Sequence, residues 1–502
     1  MSAGTLTWGS PQAKAVLATT ILGSGMAMLD GTIVNVALPV IGRELEASVA
    51  GLQWILDGYL LSLAALILVA GSLGDIFGRR RVFVVGTIWF GLASLLCGLA
   101  PTTELLVAAR VLQGVGGALL APGALAILQS AFRRDQRARA IGAWSGLSGV
   151  ATAVGPLIGG LLIQAGSWRL AFLINLPLAA VCVWLAVRHV PESSDPEAAR
   201  RPDVLSAVVG ALGLAGVTAA LVEAPVRGVS DPLVLVGGIG GLVAMTVFCV
   251  LQTRRAVPLV PPGLFANRTF LLSNALTLVV YAALGSIMVL LVLQLQVSLG
   301  YSPTAAGLAG LPITGLMLVL SARSGKLAQR IGPRLQLVVG PFLIAAGIAL
   351  LHLVTPGASY LTGVLPGLIV FGFGLAAVVA PVTATVLAAA PDRYAGVASG
   401  VNNAVARTGT LLAVAVLPAV AGLTGDAYTD PVAMTAGWQV ALVVCAVLAA
   451  LGGVLALGID NSVLGSEEQP AEVPEQPRPG ECLSCGVEGP PTHVRNPVNK
   501  PV

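Results

Sequence analysis

The chain has 502 residues, of which 56% are hydrophobic and only 10% are charged, and its formal net charge at pH 7 is +4. Because soluble domains carry about 25% charged residues, this composition excludes an ordinary soluble protein and favours one that crosses a membrane many times. The six cysteines do not indicate a disulfide framework. Four of them lie inside apolar segments, where cysteine is a small packing residue: Cys97, Cys182, Cys249 and Cys445.

Uncharged segments of about 20 residues recur along the chain, and each is long enough to cross about 30 Å of hydrocarbon as a helix. They predict an all-α polytopic membrane protein with fourteen transmembrane helices. The predicted helices cover residues 15–40, 51–71, 82–100, 104–131, 140–164, 168–188, 203–224, 231–252, 269–297, 304–322, 335–354, 359–389, 396–422 and 436–458.

The basic residues predict the orientation of these helices. An even number of spans places both termini on one side of the membrane. If that side is the cytoplasm, most of the 27 Lys and Arg residues lie in cytoplasmic segments, and only Arg43, Arg169 and Arg227 lie outside. Basic residues concentrate in cytoplasmic loops. We therefore expect a multi-pass protein with cytoplasmic termini. The strong excess of Arg over Lys, with Ala, Gly and Val dominant, indicates a high-GC bacterium and hence a plasma membrane.

A short basic segment occurs twice, which predicts a duplicated architecture. Gly71-Ser-Leu-Gly-Asp-Ile-Phe-Gly-Arg-Arg returns 254 residues later (71 to 325) as Gly325-Lys-Leu-Ala-Gln-Arg-Ile-Gly-Pro-Arg. Internal repeats of this kind are typical of secondary transporters. The predicted organisation is a cytoplasmic N-terminus (1–14), a six-helix bundle (15–188), a linker (189–202), an inserted helix pair (203–252), a cytoplasmic loop (253–268), a second six-helix bundle (269–458) and a disordered tail (459–502).

Charged residues inside predicted helices are candidates for the transport chemistry, because a charge in the hydrocarbon region is costly. Asp30, Asp57 and Arg110 lie at similar depth in the outer half of three helices of the first bundle. A carboxyl group in such a place can couple protonation to a conformational change. The alternative is that these groups are interfacial and reached by water from outside.

The second bundle has fewer polar candidates. Arg407 lies deep in predicted helix 13, and Asn403 precedes it by one turn on the same face. With Asn35, they are candidates to line the substrate cavity. Arg407 and Asn403 are equally candidates for a hydrogen-bonded clamp between helices.

Predicted helix 5 is rich in small residues and contains a proline. Gly155, Pro156, Gly159 and Gly160 are close together in it. Small residues permit close approach of helices, and proline bends them. This segment is therefore a candidate hinge, or only a groove for helix packing.

Together these segments resemble the fourteen-helix drug:proton antiporter branch of the major facilitator superfamily, over about residues 14–458. The residues that carry the resemblance are Leu29-Asp-Gly-Thr-Ile-Val-Asn-Val-Ala-Leu-Pro39, the basic segment from Gly71 to Arg81, Leu106 and Arg110 with Gln113-Gly114, the helix 5 glycines, and Trp168-Arg-Leu-Ala-Phe-Leu-Ile-Asn-Leu-Pro177. Ala151 departs from the helix 5 pattern, which has glycine there.

The resemblance implies roles for these residues. The basic segment would be the gating loop, in which Asp75 and the arginines latch neighbouring helix ends in the outward-facing state; its residues are Gly71, Asp75, Gly78, Arg79 and Arg80. Proton coupling would involve Asp30, Asp57 and Arg110. The antiporter motif of helix 5 implies efflux of cationic or amphipathic drugs and antibiotics, by alternating access of the two bundles, with the proton as coupling ion.

Other functions remain open. One alternative is an exporter of an endogenous lipid or secondary metabolite, and another is a solute facilitator or importer. A membrane-embedded enzyme or sensor would need a catalytic constellation, but the three histidines are not near a carboxylate cluster. A pair of tail cysteines, Cys482 and Cys485, is too few for a closed zinc site. We expect no cofactor, no metal, no nucleic-acid partner and a monomer in the lipid bilayer.

Overall fold

The computed structural model describes residues 6–194, 203–255, 258–391, 394–423 and 430–464. Within its helices, the description excludes the side chains of residues 134–135, 137–139, 142, 145–146, 149–150, 152–153, 322 and 395–396. Most of the predicted linker and tail lie outside the described residues, and so does the cysteine pair of the tail.

All fourteen predicted helices are present in the described part of the chain. They are α1 (Pro11–Glu44), α2 (Val49–Phe77), α3 (Arg79–Leu99), α4 (Thr103–Ala131), α5 (Arg134–Ala165), α6 (Asn175–His189), α7 (Val204–Arg227), α8 (Pro232–Arg254), α9 (Arg268–Val297), α10 (Leu311–Ile331), α11 (Arg334–Leu350), α12 (Leu365–Ala388), α13 (Ala395–Val420) and α14 (Pro431–Ala456). Short helical turns precede α6 (Leu170–Leu173), α10 (Pro303–Ala309) and α12 (Tyr360–Val364).

Thirteen helices among the described residues are long and apolar enough to cross a membrane. In α5, the part whose side chains are described without interruption, Val154–Ala165, is also apolar. The fold class predicted from the sequence is therefore confirmed: the protein is an all-α, multi-pass membrane protein.

Helix ends are set by capping groups and not by the limits of the apolar segments. Helix α1 begins four residues before its predicted start, because the Ser10 hydroxyl accepts a hydrogen bond from the Ala13 N–H and Pro11 occupies the first turn. At the start of α14, the Asp430 carboxylate accepts hydrogen bonds from the N–H groups of Val432 and Ala433. Hydropathy locates the part of a helix that lies in lipid, whereas capping determines where the helix begins.

The two predicted bundles are present and have equivalent packing. In the first bundle, α4 packs against α2 and α3, and α1 packs against α5 and α6. In the second bundle, α12 packs against α10 and α11, and α9 packs against α13 and α14. Each helix of the first bundle thus has its counterpart eight helices later, as the sequence repeat predicts.

Both ends of the described chain lie at the same end of the molecule. The Leu6 N–H donates to the carbonyl of Ala131 at the end of α4, and the Ile459 carbonyl, beyond α14, accepts from Arg334 at the start of α11. The end of the molecule that carries Arg79, Arg80 and Arg334 is termed the basic face, and the other end the opposite face.

The inserted pair α7–α8 lies beside the seam between the bundles. Its two helices approach closely through glycines: a Cβ on Gly216 would lie 2.6 Å from the carbonyl oxygen of Gly237. Helix α7 packs against α2 of the first bundle and α13 of the second, which also contact each other. The pair is therefore in contact with both halves of the molecule.

Candidate functional site

Asp30 and Arg110 form a buried ion pair at the centre of the first bundle. The Arg110 Nη1 lies 2.5 Å from the Asp30 Oδ2, and the two side chains are 0% and 1% exposed. Gln113 and Asn175 donate to the other oxygen, Oδ1, at 2.7 and 3.1 Å. All these polar contacts of Asp30 come from donors. The described surroundings of Asp30 thus match its negatively charged form.

Arg110 contacts α1 and α2 directly, and its partners Asp30 and Gln113 extend the contacts to α3 and α6. Its Nε donates to the Ile55 carbonyl of α2 at 3.0 Å, and its guanidinium lies 4.3 Å from the ring centroid of Tyr59. The Tyr59 hydroxyl in turn donates to the Ala27 carbonyl of α1. Ser94 of α3 accepts from Gln113 and from Asn175, the first residue of α6. The ion pair and its hydrogen-bond partners thus link α1, α2, α3, α4 and α6.

Asp57 is separate from this cluster. It is fully buried, yet neither of its carboxylate oxygens has a hydrogen-bond partner in the part of the chain that the structure describes. Along α2 it shares a face with Trp54 and Leu61, three residues before and four after it. Trp54 contacts α7 through Glu223, and Leu61 packs in a cluster with Leu214 of α7. The face of Asp57 is therefore directed towards the inserted pair and away from Arg110.

The burial of Asp30, Asp57 and Arg110 tests the alternative that these groups lie at the membrane interface and are reached by water from outside. Asp30, Asp57 and Arg110 are at most 1% exposed, so water does not reach them from outside in this conformation. The interfacial interpretation is wrong for the described conformation.

The predicted gating loop is an α2–α3 turn stabilised from the end of α6. Gly78 has φ of +102°, a value that favours glycine. The Arg80 N–H donates to Glu192 Oε1 at 3.0 Å, and the Arg80 guanidinium donates to the Val190 carbonyl at 3.3 Å. Gly71 lies within α2. The loop is thus tied to the stretch that follows α6 in its own bundle.

Asp75 makes its described polar contacts within the same loop. Its Oδ1 accepts from Nε and Nη2 of Arg79 at 2.9 and 2.8 Å. The resemblance leads us to expect a latch from Asp75 to neighbouring helix ends in an outward-facing state. No such latch is formed by the described residues in this conformation.

The second copy of the loop has equivalent contacts. Gly332 has φ of +84°, the Arg334 N–H donates to Asn461 Oδ1 at 3.1 Å, and the Arg334 Nε donates to the Ile459 carbonyl at 2.6 Å. The two bundles thus match. The arginine two residues after the loop glycine donates to a carbonyl just beyond the last helix, that of Val190 or Ile459, and to the side chain two residues after that carbonyl, Glu192 or Asn461. The repeat in sequence is therefore also a repeat in contacts.

The small residues of α5 face two different partners. A Cβ on Gly159 would lie 3.3 Å from the Ile33 Cα of α1, within the same bundle. A Cβ on Gly160 would lie 2.5 Å from the Thr304 Cα, in the short helix before α10 of the other bundle. Gly155 likewise lies against Thr32 of α1.

The same segment of α5 closes the seam at the opposite face. Gly307 of the short helix before α10 is so close to the Pro156 carbonyl that a Cβ would overlap with it. Nearby, Gln296 of α9 donates to the Val36 carbonyl of α1 at 3.2 Å. The two bundles are thus in backbone contact near the opposite face, and the helix 5 motif forms part of this contact.

A small cavity remains between the bundles near this contact. It has a volume of about 30 Å³ and is lined mainly by leucine and valine from α1, α2, α9 and α13. Gln53 and Ser286 are its polar residues. About one water molecule fits in such a space.

The polar candidates of the second bundle are in different environments. Arg407 is half-buried and lies near enough to Tyr59 of α2 and Tyr281 of α9 for its charge to act on both phenols. It therefore faces the gap between the bundles. Asn403 is exposed and donates to Ser399 of its own helix, and Asn35 is half-buried.

The helix clamp is formed by the neighbouring asparagine. Asn402, not Asn403, donates across to Thr277 and Asn274 of α9 at 2.9 and 3.3 Å. The two residues differ by 100° around the helix, a distinction that the sequence pattern did not resolve.

Sequence reasoning assigned no role to several other residues of the site. Gln113 and Asn175 lie in the segments that carry the resemblance, so their position was a usable signal. Glu192 and Asn461 gave no signal, since they lie in polar segments outside the repeat. Their contacts with the loop arginines depend on the tertiary structure.

Comparison with known proteins shows to which family this chain belongs. The model of the Major Facilitator Superfamily matches residues 20–414. The chain belongs to the major facilitator superfamily. Its members are transporters, so the protein is a transporter and not an enzyme.

Related proteins are named for drug resistance. The chain is 34% identical to the multidrug resistance protein Stp of Mycobacterium tuberculosis, over 83% of this chain and 77% of that protein. It is 37% identical to the puromycin resistance protein of Streptomyces alboniger, over 82% and 83% of the two chains. It is 36% identical to the tetracenomycin C resistance and export protein of Streptomyces glaucescens, over 82% and 77%. The resemblance stated from the sequence motifs is confirmed.

Solved structures share the fold. A bacterial homologue of the human lysosomal transporter Spinster, inward-facing and unoccupied, has a TM-score of 0.63 and 20% identity, over 89% of this chain and 97% of that chain. A D-xylose-proton symporter has a TM-score of 0.63 and 12% identity, over 89% and 98%. At these identities the likeness extends to the fold alone.

Proposed function

We propose that the protein is a proton-driven exporter of amphipathic or cationic drugs and antibiotics. The observation that carries the proposal is the buried Asp30–Arg110 pair, whose carboxylate is surrounded by donors. The drug-resistance names of the relatives support the substrate class and the outward direction.

In the proposed cycle, a proton exchanges for the substrate at this pair. Protonation of Asp30 removes its charge, weakens its hydrogen bonds from Arg110, Gln113 and Asn175, and leaves the charge of Arg110 uncompensated in the bundle. This excess positive charge disfavours a bound cationic substrate. Loss of the proton restores the ion pair and allows the next substrate to bind.

Alternating access would then open and close the seam between the bundles. The basic face is assigned to the cytoplasm, because Arg and Lys concentrate there. The close contacts of Gly160 and Gly307 are assigned to an outer gate that is closed in this conformation. Asp75, which pairs within its own loop here, is assigned to an inner latch that forms when the outer gate opens. The site of action is the plasma membrane.

The substrate would lie between the bundles, beside Arg407 and near Asn35 and Asn403. Most residues around the seam are apolar, which suits amphipathic compounds. The charge of Arg407 additionally favours substrates with an acceptor group or an aromatic ring.

Transport in proteoliposomes tests the proposal. Proton movement and uptake of tetraphenylphosphonium, and separately of puromycin, are measured for the native protein, Asp30→Asn and the control Asp231→Asn. Asp231 caps α8 near the opposite face, and asparagine caps equally well. We expect substrate-dependent proton movement that is lost only in Asp30→Asn. Transport without proton movement would favour a facilitator, and transport of neither compound by the folded protein would contradict the drug-export proposal.

A further inference from the structure

Helix α7 of the inserted pair presents a buried polar side chain, Thr218, to α2. The Thr218 side chain is fully buried, and its hydroxyl has no hydrogen-bond partner among the described residues. Other buried threonines donate to a carbonyl of the preceding turn, as Thr87 does to Phe83 and Thr385 to Pro381. An unpaired hydroxyl in the hydrocarbon region is costly, so it indicates a partner in another state of the protein.

The register of α7 against α2 places Thr218 level with Asp57. The helices are antiparallel: Trp54 donates to Glu223 at 2.9 Å, and Leu61 clusters with Leu214. Asp57 lies between Trp54 and Leu61, and Thr218 lies between Glu223 and Leu214. The two positions are therefore at the same height. Thr218 also belongs to the stripe of α7 that faces α2, because it is four residues from both Leu214 and Val222.

Asp57 and Thr218 are both fully buried, and neither side chain has a hydrogen-bond partner within the described ranges. We infer that Thr218 is the hydrogen-bond partner of the Asp57 carboxyl group in its protonated state, so that the inserted pair α7–α8 completes a second proton site. This site is distinct from the Asp30–Arg110 pair, and its inner wall includes α13, since Leu411 shares the same cluster. The inference rests on the proposed proton-coupled export.

Other charged groups lie on the helices packed around α2. They include Glu223 and Arg227 on α7, Arg407 on α13, Arg110 on α4 and Asp30 on α1. Arg110 and Asp30 are engaged with each other, and Arg227 pairs with Glu223 at 2.8 Å. Glu223 also accepts from Trp54, one turn nearer to the opposite face than Asp57, so it separates the site from that surface.

Pairing with Thr218 gives the inserted helices a direct part in coupling. The pair touches α2 and α13, one helix from each bundle. A hydrogen bond that forms on protonation of Asp57 would tighten α2 against α7 at the seam. Protonation would thereby act on the movement of one bundle against the other.

Infrared difference spectroscopy of the reconstituted full chain tests the inference. The pH-dependent carbonyl band of protonated Asp57 is identified as the band that Asp57→Asn removes. We expect Thr218→Val to move this band to higher frequency, because the carbonyl loses a donor, and to change the protonation equilibrium about fivefold, the effect of one hydrogen bond. Thr218→Ser, which keeps the hydroxyl, should leave the band in place. Thr246→Val is the matched control, since Thr246 is exposed on α8 and donates to its own helix.

The outcomes separate this inference from the export proposal. The inference would be overturned if the Asp57 band were unchanged in Thr218→Val. It would also be overturned if Asp57→Asn removed no pH-dependent carbonyl band from the spectrum. If the band shifts as expected while native vesicles show no substrate-dependent proton movement, the second proton site stands and the export proposal fails. If proton-coupled transport is present but independent of Thr218, only the role of the inserted pair fails.

Discussion

Replacing Asp30 with asparagine should destabilise the protein as well as uncouple it. The substitution keeps the shape of the side chain but removes the charge that faces Arg110. At 2.5 Å and an effective dielectric constant of about 20, the pair contributes about 7 kcal/mol of Coulomb energy. Desolvation offsets part of this energy in the native protein. The remaining cost of an unpaired buried arginine is about 3 to 5 kcal/mol.

A double-mutant cycle separates the pair from its surroundings. The free energy of unfolding is measured in mixed micelles for Asp30→Asn, Arg110→Met and the double variant. Each single change leaves one partner unpaired, whereas the double change leaves neither. We therefore expect the double variant to be more stable than the sum of the single effects predicts, by about 2 kcal/mol or more.

Additive effects would refute this reasoning. If the double variant matches the sum of the singles to within about 0.5 kcal/mol, the two side chains do not interact in the folded protein. Asp231→Asn serves again as the control, because it changes an acidic residue to asparagine at a capping position. It should leave the free energy of unfolding almost unchanged.

Three further predictions concern glycine and asparagine positions. Gly160→Ala should prevent the close contact between the bundles and favour the conformation with an open opposite face about 5- to 150-fold, measured by the accessibility of a single introduced thiol. Gly166→Ala, where a Cβ meets nothing within 4 Å, is the control. Equal thiol accessibility in the two variants would contradict the outer gate. Gly332→Ala should lower the free energy of unfolding by about 1 to 2 kcal/mol because φ there is +84°, and an unchanged value in denaturation would show that the turn relaxes. Asn402→Ala should cost about 1 to 3 kcal/mol by loss of its hydrogen bonds to α9, whereas Asn403→Ala should cost less than about 0.5 kcal/mol; the reverse order of the measured values would contradict the assignment of the clamp.

The apolar segments and the internal repeat of the sequence predicted the fold closely. The apolar segments predicted fourteen helices, and the repeated Gly-Arg segment predicted two equivalent bundles. These predictions succeeded because the hydrocarbon region imposes one length and one polarity on every span. The exact helix ends were less well predicted, since caps such as Ser10 lie outside the apolar segments.

The candidate site was predicted in part. Burial of Asp30 and Arg110 in apolar segments identified them, because a charge in such a segment requires a partner. Depth alone did not reveal that Asp57 lies on the face of α2 that is directed away from Asp30 and Arg110. The same limit applies to Asn402, which makes the hydrogen bonds to α9 and was not among the candidates.

The sequence by itself determined the class of protein, the number of helices and the duplication. It also determined which charged residues lie inside apolar segments, where burial of a charge is energetically costly. These properties depend on composition and spacing along the chain. Only the tertiary structure decided which charges meet, that Glu192 and Asn461 hold the two loops, and that α7 packs beside Asp57. Those contacts depend on the rotation and register of helices against each other, and many rotations satisfy the same hydropathy pattern in lipid, where apolar side chains are accepted on every side.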